Sequence, residues 1–470
     1  MHQQNIDTRP TRLLQLSNDD GQPMVKLVHT AGINVENLPY VTLSHCWGQT
    51  LQARLTTDLV DDHTLGISWK HLTSTFQDAI VISLKLGMYY IWIDALCIIQ
   101  DDEEDWSREA VRMTGVYLNS YLNISADASC DGAGGLFRWR NPIACQSFIV
   151  PHWKGDSQRC ASIFYTDRWF RDIQSSPLSK RAWTVQEMFL APRVLHFAAE
   201  VVHWECMELC TTESLPTLFN IIPESDSIIL KSSLRHDLPE QDKARVLYDA
   251  WYQLVIAYSS GTLTFTSDRI IAIAGLAGIF CRLLGLSEGD YLCGIWRPQL
   301  EHDLMWKRSG PCWASHHTRL SDLPSWSRLS MCAETWICSG WIWGQREDDD
   351  LTTAEVVHAS TTPVQTAFRL VSSGKVALQV FLCQCTIHRK DYAHLDRDYM
   401  RRMIPPYSGE YNYGYSMDLD GSTLREEEHF EICTDDDGDQ LVNKTVYLML
   451  GRARDPECDK SVARIEGREP

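Results

Sequence analysis

The sequence sets a serine, a histidine and a cysteine side by side at Ser44-His45-Cys46, where the β-prone run "YVTLS" gives way to Trp47 and Gly48. A thiol beside an imidazole suggests nucleophilic chemistry. Adjacent residues of a strand point to opposite faces, however, so His45 is badly placed to take a proton from Cys46 while the chain stays extended. The pattern instead predicts that Ser44 or His45 hydrogen-bonds a ligand or a neighbouring loop, with Cys46 and Trp47 packed inside and Gly48 making the turn. Asp94 ends a second β-prone run, "YYIWID". Two roles are open to it: binding a ribose hydroxyl, or holding a loop by accepting backbone N–H groups. Trp183 and Glu187 stand four apart and share a face if their segment is helical. Two roles are open here as well: Glu187 is a working carboxylate, or Trp183 is core packing and Glu187 a structural partner of Arg181, Arg193 or another nearby base. Arg181 itself suits a phosphate contact, a surface position or an ion pair.

The elements that must position these residues alternate. After the strand at Tyr40–Ser44, "STFQDAIVISLKLG" offers a Ser74/Gln77 capping box, apolar residues four apart and a terminating Gly87. The strand "YYIWID" follows. Next, "DDEEDWSREAVRMTGVYL" carries acidic residues where a helix dipole favours them, with Gln100, Asp101 and Asp102 as capping candidates. "YLNISA" reads as a further strand. Strand, helix, strand, helix, strand implies a parallel sheet, because parallel neighbours need crossover connections. Ligands of such sheets sit at the carboxyl ends of the strands, where Ser44, His45 and Asp94 all fall. Further on come two β-like patches ("SFIVPHW", "ASIFYTD"), a helix after Ser179 running through Leu190, and a strand "RVLHF". The segment 213–345 is helical in pattern ("DKARVLYDAWYQLVIAYSS" and "SDRIIAIAGLAGIFCRLLGL", the latter capped by Ser267), and 346–470 is richer in short β-like runs. Its "DDDGD" near Asp435 reads as a solvated turn, without the ligand spacing of a calcium loop.

Composition narrows the function. The chain has 43 basic against 62 acidic residues, a formal charge of -19, which opposes non-specific binding to nucleic acid or anionic membranes. The N-terminal residues lack a signal-peptide pattern and no stretch approaches the ~20 apolar residues that span a bilayer. An intracellular, cytoplasmic protein is expected. The 16 cysteines then read as reduced thiols; Cys206/Cys210 and Cys383/Cys385 have no convincing second pair, so no metal is expected. No phosphate-binding glycine fingerprint is present, so no resident cofactor is expected either.

"YVTLSHCWG", "YIWIDALCIIQDDEEDWSREAVRMTGVYLNSYLNISA" and "LSKRAWTVQE" resemble, in order and spacing, the three blocks of the fungal heterokaryon incompatibility (HET) domain, over roughly residues 10–210. "AYSSGTLTFTSDRIIAIAGLA", "YLCGIWRPQLEHDLMW" and "LPSWS" are similar to the region that often follows it. The resemblance implies a protein of self/non-self recognition whose domain triggers programmed cell death when unlike strains fuse. It also implies a distant likeness to TIR domains, with a flavodoxin-like α/β sheet and, in many members, cleavage of NAD. W-x-x-x-E is the spacing around the catalytic glutamate of NAD-cleaving TIR domains, which marks Glu187 as the catalytic candidate. Trp183, Ser44, His45, Asp94 and Arg181 become candidates for binding NAD, as substrate rather than cofactor.

The resulting expectation has three parts: an α/β HET domain at 1–212 with a parallel sheet and inserted β elements, a helical region at 213–345, and a β-rich region at 346–470. The expected partners are other incompatibility proteins or further copies of the chain. A second class of function stands beside the enzymatic one: a non-enzymatic module that signals through protein assembly.

Overall fold

The computed structural model describes residues 10–19, 22–31, 38–48, 53–141, 148–154, 157–163, 169–214, 231, 239–263 and 268–304, and, beyond these, 306–308, 323–324, 326–330, 337–339, 355–363, 371–391, 413–419, 445–449 and 460–466. The chain divides into two compact units, Met1–Glu288 and Gly289–Pro470.

The first unit is built on one eight-stranded sheet. Its strands are β1 (Arg12–Asp19), β2 (Gln22–His29), β3 (Val41–Ser44), β4 (Tyr90–Trp92), β5 (Leu122–Ser125), β8 (Arg193–Phe197), β9 (Val202–Cys206) and β10 (Cys210–Thr212), in the spatial order β10-β9-β8-β5-β3-β4-β1-β2. The centre is parallel: β3 pairs with β4 and β5, and β5 with β8. Antiparallel hairpins close both flanks. Numbered by sequence, the parallel strands run 2-1-3-4, so the winding reverses between β3 and β5. A crevice opens outside the carboxyl ends of two strands at such a reversal. Strands β6 (Phe148–Lys154) and β7 (Ser157–Ile163) form a separate antiparallel pair, which accounts for the two β-like patches.

The helices of this unit are α1 (Val60–Leu65), α2 (Ser74–Lys85), α3 (Asp94–Cys97), α4 (Glu103–Leu118), α5 (Ala182–Leu190), α6 (Glu240–Ser260) and α7 (Asp268–Leu283). The cap of α2 is Thr73, whose hydroxyl accepts from the Phe76 N–H; Gln77 instead turns back to the Trp69 and Leu72 carbonyls. The expected Ser74/Gln77 box is therefore replaced by a cap one residue earlier. Of the capping candidates for α4, Asp102 receives the Glu104 and Asp105 N–H groups, while Asp101 receives Thr57 and Gln100 bonds the Asp94 and Ile98 carbonyls. Ser179 does not cap α5, because a short 3-10 turn over Leu178–Lys180 intervenes and Arg181 takes the N-cap position. Ser267 and the segment around Asp435 lie outside the described residues.

Helix α5 is held from three sides. Gln186 at its centre, turned so that its amide nitrogen donates to the Ala272 carbonyl of α7 (2.7 Å), accepts from the Thr114 hydroxyl of α4 (2.7 Å). Gly261, just past α6, approaches so closely that a Cβ there would lie 2.6 Å from Ala182 Cα. Thr262 N–H and Ala182 N–H close a short bridge with Lys180 and Thr262 carbonyls. The amino end of α5 is thus fixed by backbone.

The two faces of the central sheet differ in chemistry. Val41, Leu43, Leu122 and Ile124 supply a buried apolar face. Alternate positions are polar and equally buried: Thr42 and Ser44 on β3, Asn123 and Ser125 on β5, and His196 on β8 in register with Ser125. Asn123 ties the polar face together, with Thr42 Oγ1 at 3.0 Å from its Oδ1 and its Nδ2 donating to Ser44 Oγ at 3.0 Å. A buried sheet face is normally apolar. Thr42, Ser44 and Asn123 there satisfy one another across β3 and β5.

The second unit contains a small core of Leu292, Ile295, Leu300, Trp326, Ala359 and Val376. Its long strand Val371–Asp391 pairs antiparallel with Glu355–Pro363, Tyr413–Leu419, Thr445–Met449 and Lys460–Glu466. The β-like runs "KVALQVFLCQC" and "TVYLML" belong to this sheet.

Candidate functional site

Strand β3 ends at Ser44 and β4 at Trp92, two residues before Asp94, so both chain segments leave the sheet at the same edge. Helix α5 crosses above and brings Glu187 to that edge. The carboxylate is 4% exposed, and its Oε2 has no hydrogen-bond partner among the described residues. Burial is the main influence on it and pushes its pKa from 4.5 to about 7; Asp94 adds to the rise, while Arg181 and the hydroxyls of Ser44 and Tyr117 oppose it. Glu187 therefore sits among Ser44, Asp94, Tyr117 and Arg181, poised between its acid and its carboxylate.

The structural alternative for Glu187 required a paired base. No ion pair joins Glu187 to Arg181 or Arg193 among the described residues. Arg193 lies over the Tyr121 ring (4.9 Å) and donates to the Tyr121 carbonyl (3.1 Å). Arg181 spends its guanidinium on the His45 carbonyl and acts on Glu187 through space. Half-buried, and with no ion pair among the described residues, it ties the β3 exit to the head of α5.

Asp94 holds a loop. One oxygen accepts the Ala95 N–H (2.7 Å) and faces His45 Nδ1 at 3.6 Å; the other accepts the Trp47 indole N–H at 2.9 Å. His45, on the face opposite Ser44, is buried edge-on against Phe76 of α2 (5.0 Å). Its ring is thus packed, and it offers the edge its carbonyl, which accepts from the Arg181 guanidinium. Trp183 is half-buried on α5. No described contact joins its indole to the other residues of the site.

Two expectations about the "SHCWG" turn separate here. Cys46 is buried, and burial, chiefly, raises its thiol pKa to about 11, so it is a poor nucleophile at neutral pH. Trp47 is not packed inside: Tyr40 through Cys46 are buried, whereas Trp47 is half-exposed. Its indole N–H finds Asp94, which lets the ring stay at the edge with its polar atom satisfied. Gly48 makes the turn with φ +65, and a Cβ there would lie 2.3 Å from Asp131 Cβ. Gly48→Ala is expected to destabilise the unit by at least about 1–2 kcal/mol, read from the denaturant midpoint, because both the left-handed backbone and the clash oppose a side chain.

Residues that the sequence reading did not single out complete the site. Tyr117 of α4 is buried against Trp92 (5.7 Å), and its hydroxyl lies 3.4 Å from the Leu43 carbonyl and close enough to influence Glu187. Asn123 orients Ser44. The available signal was the alternation in "LNISAD", where Asn123, Ser125 and Asp127 stand at every second position of a strand.

A second polar cluster lies on the same sheet face. His196 Nδ1 meets Asp127 Oδ2 at 3.1 Å and its Nε2 meets Glu205 Oε2 at 3.3 Å; Lys231 Nζ reaches the same Glu205 oxygen at 3.4 Å and the Ala191 carbonyl at 3.0 Å. Trp169 stands edge-on to both His196 and His203, and His203 bonds Asp172 (3.1 Å). All of these side chains are buried. Burial alone would lower the His196 pKa, but Asp127 and Glu205 outweigh it and raise the value to about 9. The cluster joins the carboxyl end of β5 to β8 and β9, and among the described residues Asp127 Oδ1, His203 Nδ1 and Trp169 Nε1 have no hydrogen-bond partner.

No helix of the described residues is long and apolar enough to cross a membrane. No curated protein and no solved structure matches the chain. The family model described as "Heterokaryon incompatibility protein (HET)" matches residues 40–187, a span that opens at Tyr40, ahead of β3, and closes on Glu187 itself. Residues 40–187 are thus similar to the heterokaryon incompatibility domain, and the likeness spans the strands and helices that carry the site.

Proposed function

We propose that this domain is a death effector of fungal heterokaryon incompatibility, acting in the cytoplasm by cleaving NAD at Glu187. The observation that carries the reading is the buried Glu187 carboxylate, with one oxygen lacking a hydrogen-bond partner among the described residues, held at the sheet edge where the strand order reverses. The 2-1-3-4 order of the parallel strands is that of flavodoxin-like sheets, and it supports the TIR-like comparison drawn from W-x-x-x-E. In the proposed reaction the bond between ribose C1′ and the nicotinamide nitrogen breaks. The electron pair leaves with nicotinamide, whose ring is neutralised, and the ribose becomes oxocarbenium-like. Water then adds at C1′ and loses a proton. The leaving group is cationic at the start, so no general acid is needed, and one carboxylate facing the developing charge lowers the barrier.

That role requires the ionised form of Glu187. With a pKa of about 7, the carboxylate fraction and hence kcat/KM are expected to rise about tenfold between pH 6 and pH 8. A rate flat across that window would assign the chemistry elsewhere.

In cells the reading is tested by expressing residues 1–470 and the Glu187→Ala variant in yeast at equal soluble level, following NAD together with viability. NAD loss that precedes death in the wild type alone supports it. Death with NAD unchanged refutes it.

A second reading has its own observation. Trp139 is 88% exposed, with Phe137 and Phe170 also exposed, and such side chains suit contacts with other incompatibility proteins or further copies of the chain. On this reading the domain signals by assembly and Glu187 is structural. A Glu187→Ala protein that keeps its partner contacts and oligomeric state yet loses toxicity would exclude it.

A further inference from the structure

We propose that Trp47 is a ligand-binding residue that stacks on a planar, cationic heteroaromatic ring, and that Asp94 tunes the indole for that task. The inference rests on the NAD reading for the ligand's identity and on the geometry for everything else.

Trp47 is the first side chain after β3 that solvent reaches. It emerges where the winding of the sheet reverses, on the strand whose last residue, Ser44, acts on Glu187. Among its contacts with described residues are the N–H to Asp94 Oδ2 bond at 2.9 Å and a near-parallel offset of 12° from the His45 ring, centroids 6.4 Å apart, and both orient it. An indole with both its edge and its plane set is pre-organised to receive a flat partner.

The hydrogen bond has an electronic consequence as well. A carboxylate accepting the indole N–H pushes electron density into the ring and makes its face more negative. Cations over a tryptophan face are held by that negative potential. Asp94 adds its own charge nearby, and its second oxygen lies 3.6 Å from His45 Nδ1, so the carboxylate is held in place on both sides. The combination selects a ring that is both planar and positively charged over a neutral ring of the same shape.

The test uses 1-methylnicotinamide, a cation with no glycosidic bond to cleave, against neutral nicotinamide, with the full chain and ligand-observed NMR. The wild type is expected to shift the ring protons of the cation upfield and to bind it about tenfold more tightly than the neutral ring. Trp47→Leu is expected to abolish the upfield shift. Trp47→Phe, which keeps a ring but not the N–H, is expected to retain the shift and lose most of the preference for charge, as is Asp94→Asn. Equal binding of the cation by wild type, Trp47→Phe and Trp47→Leu overturns the proposal, as does an absence of upfield shift in the wild type. NAD turnover assayed alongside separates the two claims. Turnover with KM unchanged in Trp47→Leu sinks the Trp47 assignment alone, whereas stacking without turnover sinks the NAD reading alone.

Discussion

Replacing Glu187 with Gln is expected to reduce NAD cleavage by about 100-fold or more, the usual loss when one electrostatic stabiliser of a transition state is removed, and to do so without weakening the fold. The second half of that statement follows from linkage. The folded-state pKa of about 7 lies above the ordinary 4.5, so the folded protein holds a proton that the unfolded chain has released throughout that window. Stability therefore falls as pH rises from about 4.5 to 7, by a total on the order of 3 kcal/mol. Gln keeps the shape and the uncharged state, so the variant at pH 8 is expected to melt no lower than the wild type, and higher if the full linkage term is recovered. A structural carboxylate behaves in the opposite way, its removal lowering the midpoint. Activity and melting measured on the same two proteins thus separate a working Glu187 from a packing one.

The second large effect lies beside the site. His196 serves two buried carboxylates, Asp127 and Glu205. His196→Ala would take the imidazole from Asp127 and leave Glu205 with Lys231, and breaking a buried network of this kind costs about 3–5 kcal/mol. That is a large share of the ~5–15 kcal/mol that holds a typical domain together. Urea midpoints at pH 7 read it directly. The pH dependence has a definite sign. His196 has a folded pKa raised from 6.5 to about 9, so its stabilising contribution is complete below about 6.5 and is lost as pH rises through 9. The expected loss over that interval is about 3 kcal/mol, and His196→Ala should flatten it. A wild type with equal midpoints at pH 6.5 and pH 9 would mean that His196 is neutral in the fold.

Much of this arrangement was legible in the chain because local signals and global topology agree. Apolar Phe76, Ile80 and Leu84 with Gly87 mark α2, the acidic start marks α4, and the runs at Tyr40, Tyr89, Tyr121 and Arg193 become β3, β4, β5 and β8. The parallel order then follows from the crossovers. What could not be read was set by partners distant in sequence. The hairpin β1–β2 pairs with β4 more than sixty residues on and makes an antiparallel flank that no local pattern announces. The site shows the same limit. W-x-x-x-E put Glu187 on a helix face, yet the neighbours that set its ionisation come from β3, the end of β4, α4 and the turn before α5. Tyr117 read as one more apolar residue of α4, and Trp47 as core, because nothing nearby in the sequence says that Asp94 will take the indole N–H. Asp127, His196 and Glu205 look unrelated until β5, β8 and β9 lie side by side.

The central claim is that Glu187 cleaves NAD, and the most direct measurement is nicotinamide release by purified full-length protein supplied with NAD at pH 8, wild type against Glu187→Gln. The account predicts continuous release by the wild type and at most about one hundredth of that rate from the variant. Equal release from both proteins, or none from a folded wild type, would contradict it.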